Sequence, residues 1–103
     1  MRSRCECRLT VIGSRRDVQL FRNGQWEKAL RAAYTEPLQL SPRRFVCQFE
    51  TDSQDDQGLQ RLQHLSQSHP RLVLLLDYEV FPARIKGVAK AQAGALEHCE
   101  IGY

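Results

Sequence analysis

The order of elements legible in this sequence predicts an α+β sandwich, with two helical regions on one face of an antiparallel sheet and a C-terminal β-hairpin extending that sheet. Three observations predict it. Residues 4–12 and 44–51 alternate apolar and polar side chains, as half-buried strands do. Segments between and after them repeat apolar residues at helical spacing. The stretch Pro70 to Phe81, PRLVLLLDYEVF, runs apolar from Leu72 to Leu76 and then alternates through Asp77, Tyr78, Glu79 and Val80. A bilayer span needs about 20 apolar residues, so this short run reads as a strand inside the sheet. Leu72, Leu74, Leu76, Tyr78 and Val80 share its core face, while Val73, Leu75, Asp77 and Glu79 share a face that begins apolar and ends acidic.

A chain of 103 residues is expected to form one domain across residues 1–103. Its 42% hydrophobic and 26% charged content is that of an ordered globular protein. A formal net charge of +3, mostly from arginine, permits a nucleic-acid partner without indicating one. Met1-Arg2-Ser3-Arg4 leads into an alternating strand with no apolar signal region, so a cytoplasmic protein away from membranes is expected. In that compartment the four cysteines read as free thiols.

The first strand sets Cys5, Cys7, Leu9 and Val11 against Arg4, Glu6, Arg8 and Thr10. Gly13-Ser14 ends it, and Ser14 with Asp17 forms a capping pair for a helix that buries Val18 and Phe21. Asn23-Gly24 interrupts this helix, and Trp26, Ala29, Leu30 and Ala33 resume the stripe, giving a helical region from Arg15 to Tyr34 in two pieces. Leu38-Gln39-Leu40, between Pro37 and Pro42, suits a short edge strand. In the next strand Phe45, Cys47 and Phe49 face inward. Ser53 and Asp56 suggest a second capping pair, before a helix with Leu59, Leu62 and Leu65 on one side. After the Pro70 strand, Phe81-Pro82-Ala83 turns the chain into Arg84 to Ala91, and Gly94 separates this from a last strand, Ala95 to Tyr103. If Val80 faces Ala83, Glu79 lies opposite Arg84 and Asp77 opposite Lys86. Strand, helix, strand, strand, helix, strand is the order of the ferredoxin-like fold, here with both helices serving the first four strands and a hairpin added.

The pattern Cys5-x-Cys7-x-Leu9-x-Val11-x-Gly13 with Val18 and Phe21, Phe49-Glu50-Thr51, and Pro70-x-Leu72 leading to Leu76-x-Tyr78-Glu79, followed by Gly87, Gly94 and Tyr103, resembles the YubB-like ferredoxin-like domain family. That family occurs in plasmid and phage proteins of unknown function. The resemblance implies a fold and a mobile-element setting, and it implies no chemistry.

Cys5, Cys7 and Cys47 share inward parity on neighbouring strands. A zinc site needs four ligands, commonly announced by Cys-x-x-Cys, and Cys-x-Cys on a strand spaces its residues about 6.6 Å apart, so buried small hydrophobes are the expected role. His64, His69 and His98 do not converge, and no Ser-His-acid or Cys-His arrangement is legible. Asp55-Asp56 is a carboxylate pair of the kind a helix N-terminus favours. No phosphate loop is present. The outward positions of the two central strands, Arg4, Glu6, Arg8, Thr10, Arg44, Val46, Gln48 and Glu50, include no aromatic on which a base could stack.

The expectation is therefore a small, non-catalytic interaction module with no cofactor and no metal, acting on a protein partner or a second copy of itself. The alternative is a nucleic-acid-binding accessory of a mobile element. Arg4, Arg8, Arg44, Arg84, Lys86, Leu96, Ile101 and Tyr103 are the candidate interaction residues. The last strand carries Glu97 and Glu100 but neither Lys nor Pro, so it lacks the usual guards of a sheet edge, and a homodimer through the hairpin is expected.

Overall fold

A computed structural model describes residues 4–51 and 56–103. In chain order the elements are β1 (Arg4–Ile12), α1 (Arg15–Asn23), α2 (Trp26–Ala29), β2 (Ala33–Ser41), β3 (Arg44–Thr51), α3 (Asp56–Ser68), β4 (Val73–Phe81), β5 (Ile85–Gln92) and β6 (Ala95–Gly102). The strands form one antiparallel six-stranded sheet in the order β2-β3-β1-β4-β5-β6. The molecule is thus a small α+β domain, with β1 between β3 and β4.

Burial follows that alternation closely. Cys5, Cys7, Leu9 and Val11 of β1, Phe45, Cys47 and Phe49 of β3, and Leu74, Leu76, Tyr78 and Val80 of β4 form the sheet side of the core. Val18 and Phe21 of α1, Trp26 of α2 and Leu30 directly after it close the core from the other side. The Trp26 indole lies edge-on to Phe45 and Phe49, with ring centroids 5.7 and 5.8 Å away. Ser14 caps α1 as expected: its hydroxyl oxygen accepts the Asp17 N–H at 3.2 Å, and its O–H donates to the Asp17 carboxylate at 2.7 Å. That hydroxyl, helped by Arg71 at 2.8 Å, holds the Asp17 carboxyl below its usual range. Gly24 ends the helix, donating its N–H to the Leu20 and Phe21 carbonyls.

Four expectations need correction. The helical region does not run to Tyr34. It stops at Ala29, Arg31 and Tyr34 take positive φ values of 53° and 55°, and Ala33 already pairs with Glu50. The short strand at Leu38–Leu40 is in fact a nine-residue strand. Both errors have one cause: no residue of β2 is buried, so its backbone ladder holds it there without the apolar periodicity that would announce it.

The third correction concerns the β4–β5 hairpin, where Val80 pairs with Ile85, Glu79 with Lys86 and Asp77 with Val88. The Arg84 N–H donates to the Val80 carbonyl at 3.0 Å, so the turn takes residues 81–84 and pairing resumes two residues later than expected. Glu79 still faces a cation, although a different one.

Fourth, the helices do not serve the first four strands alone. α3 packs chiefly against β5 and reaches β4 and β6. It buries Leu59, Leu62 and Ser66, and it also grips the β5–β6 turn. The Ser66 hydroxyl donates to the Gln63 carbonyl at 2.6 Å and accepts the Gly94 N–H at 3.0 Å, while the Gln63 side-chain amide donates to the Gly94 carbonyl at 2.7 Å. Ala93 and Gly94, with φ of 51° and 85°, make the two-residue turn between the strands. The capping pair at Ser53–Asp56 and the carboxylate pair Asp55–Asp56 involve side chains outside the described residues.

Candidate interaction surface

With the helices on one side, no described element covers the other side of the sheet, and the cross-strand register sorts its side chains into rows. One row runs Gln48, Arg8, Asp77, Val88, Cys99 across β3, β1, β4, β5 and β6. The next runs Glu50, Glu6, Glu79, Lys86, Ile101. Between them lies a shallow concavity of about 510 Å³ lined by residues that include Glu6, Arg8, Gln48, Asp77 and Lys86. Three adjacent carboxylates, Glu50, Glu6 and Glu79, stand directly opposite one another, an arrangement that repels unless cations sit alongside. They do: Arg4 lies 3.4 Å from Glu6, and Lys86 is paired with Glu79.

A corner of this face gathers aromatics and cations. The Arg4 guanidinium lies 5.4 Å from the Phe81 ring centre, Arg84 lies 5.1 Å and Lys86 6.0 Å from that of Tyr103, and the Tyr103 hydroxyl donates to the Glu79 carboxylate. Arg4, Arg84, Lys86 and Tyr103 are therefore brought together, with Ile101 next to Lys86 on the same face. Arg8 lies one row further in, and Arg44 sits at the opposite end of β3, against Ile12. Leu96 departs from the set, because it is on the helix side, partly buried against the core. Thr10 and Val46 also depart from their expected exposure: they face each other across β1 and β3 beside Leu75, and they shield one another. Phe81 was not singled out in the sequence because its partner Arg4 is distant in the chain.

Among the described residues β2 and β6 are the unpaired edges of the sheet, and they differ. β2 carries Pro37, two register shifts against β3, and the positive-φ Tyr34, all of which spoil it as a pairing template. β6 pairs with β5 in unbroken register from Ala95 to Gly102 and contains no Pro or Lys. Its hydrogen-bond parity is fixed at both ends. Gln92 and Ala95 close the two-residue turn, and the Tyr103 N–H donates to the Arg84 carbonyl at 2.9 Å. The odd-numbered residues of β6 consequently turn their backbone groups to β5. Leu96, His98, Glu100 and Gly102 turn theirs to the open edge. His98 and Glu100 were not picked out as interaction residues, although the Ala93-Gly94 dipeptide between two alternating runs signals that parity.

The thiols behave as core. Cys5 and Cys7 are buried with their sulfurs 3.5 Å apart, closer than the spacing of their backbones suggests, because both side chains lean together on the inner face. Contact with Cys5 and burial push the Cys7 thiol up, and burial does the same for Cys47, whose S–H points to the Gln48 carbonyl. Cys99 alone among the cysteines is exposed. The histidines stay apart: His64 is exposed, His69 packs edge-on against Phe21 at 5.1 Å, and His98 is 4.0 Å from Glu100. Among the described residues, no group of three or more acidic, histidine or cysteine side chains is placed to hold a metal. No helix among them is long and apolar enough to cross a membrane.

Comparison with family models, curated proteins and solved structures returned no match to this chain.

Proposed function

We propose that the chain is a small, non-catalytic interaction module of the ferredoxin-like type that works by self-association through the free edge of β6. The strand order β2-β3-β1-β4, with helical segments after β1 and β3, supports the fold reading, with β5 and β6 as its extension. The observation on which the function rests is the contrast between the edges. Bulges and a proline guard β2, whereas β6 offers an unbroken, solvent-facing row of donors and acceptors from Leu96, His98, Glu100 and Gly102. The Ser66 and Gln63 grip on Gly94 holds this edge in place for a partner strand. Three buried free thiols accord with a cytoplasmic setting.

Sedimentation tests the reading. Glu100→Pro deletes an outward-facing N–H while leaving the β5 ladder intact, and proline is tolerated at such edge positions. The parent should sediment as a dimer and the variant as a folded monomer. A parent that is monomeric at high micromolar concentration removes the proposal.

A second reading rests on the corner of Arg4, Arg84, Lys86 and Tyr103. Cations stacked on aromatics next to an open sheet face suit a nucleic-acid partner, the role that fits the mobile-element setting of the YubB-like family. The row of Glu50, Glu6 and Glu79 beside that corner weakens attraction for a polyanion, so this reading ranks second. Phosphate-driven binding falls steeply between about 50 and 200 mM salt, whereas strand pairing hardly responds.

A further inference from the structure

Resting on the β6 reading, we propose that the partner is a second copy in a single register, with Cys99 of each chain facing the other across the two-fold axis. An antiparallel pair of identical edges, both open faces on one side, must be centred on a residue of β6. Because the outward backbone groups belong to Leu96, His98, Glu100 and Gly102, these four must pair among themselves. Centring on Cys99 sets Leu96 against Gly102 and His98 against Glu100, twice each, so all four use both N–H and C=O.

Side chains choose the same register. On the helix side, His98 of each copy meets Glu100 of the other, adding to the 4.0 Å contact they already make within one chain. On the open side, Glu97, which already faces Lys90 in its own chain, meets Ile101, and the small Ala95 lies beside Tyr103. Moving the centre one pleat either way sets His98 on His98 or Glu100 on Glu100, which places like side chains in direct opposition. Cys99 then occupies a non-hydrogen-bonded pair, where Cα atoms approach to about 4.5 Å, within disulfide range.

Two measurements test the register. Treatment with diamide, which takes two electrons and two protons from a pair of thiols, should give a Cys99–Cys99 disulfide by mass mapping, absent in Cys99→Ser and rare in the Glu100→Pro control. His98→Glu should raise the dissociation constant about tenfold, and adding Glu100→Lys should restore it, since the pair again sets acid against base across the axis. A monomeric parent overturns both this register and the edge reading. A dimer in which Cys99 does not cross-link and the charge swap gives no rescue overturns the register and leaves the edge reading standing.

Discussion

The Tyr78 ring lies across Gly87, its direct partner on the adjacent strand, so closely that a Cβ on Gly87 would stand 2.1 Å from the ring's Cζ. A glycine inside a strand weakens it, and here the aromatic ring covers the bare backbone on the helix side. Gly87→Ala should displace the buried ring and cost about 1–3 kcal/mol, read as a lower urea midpoint at unchanged slope. A midpoint equal to the parent's would mean that the ring is not held there.

Burial, reinforced by the negative charge of Glu100, pushes the Tyr78 hydroxyl from 10.0 up to about 12. The folded state thus favours the neutral phenol. Its contribution to stability is complete below pH 10 and is lost as pH rises from 10 towards 12. Urea unfolding at rising pH should show stability declining through that window, and Tyr78→Phe should remove this part of the decline. An identical decline in the variant would contradict the assignment.

Ser66 has no exposed surface, and its hydroxyl is the acceptor for the Gly94 N–H. Ser66→Ala leaves that donor and the Gln63 carbonyl short of a partner, at a cost of about 1–3 kcal/mol. Because the bond links α3 to the β5–β6 turn, faster hydrogen exchange should concentrate in residues 92–96. Uniformly faster exchange across the sheet would deny the link this local role.

Native-state alkylation should modify Cys99 quickly and Cys5, Cys7 and Cys47 slowly, since the last three are buried and burial or contact raises the thiols of Cys7 and Cys47. Denaturation should make all four react alike. Rapid modification of Cys5 or Cys7 in the folded protein would place them outside the core.

Much of the core was legible because Cys5, Cys7, Leu9 and Val11, or Leu74, Leu76, Tyr78 and Val80, bury one face and expose the other, and period-two burial leaves a period-two sequence. β2 was not legible beyond Leu38–Leu40, since a strand with no buried residue has no such record. The β4–β5 register was missed because it depends on turn length, which the Arg84-to-Val80 hydrogen bond sets and composition does not. At the interaction surface, Arg4, Arg84, Lys86 and Tyr103 were visible as charged or aromatic residues, but their convergence came from the sheet. The significance of His98 and Glu100 lay in backbone parity, which the Ala93-Gly94 turn sets and their own side chains do not.

The most direct test of self-pairing is amide hydrogen exchange along β6 across a dilution series from millimolar to low micromolar protein. The N–H groups of Cys99, Ile101 and Tyr103 face β5 and should be protected at every concentration, whereas those of His98, Glu100 and Gly102 face the open edge and should gain protection only as the protein is concentrated. Exchange at His98, Glu100 and Gly102 that stays fast and independent of concentration would contradict pairing through β6.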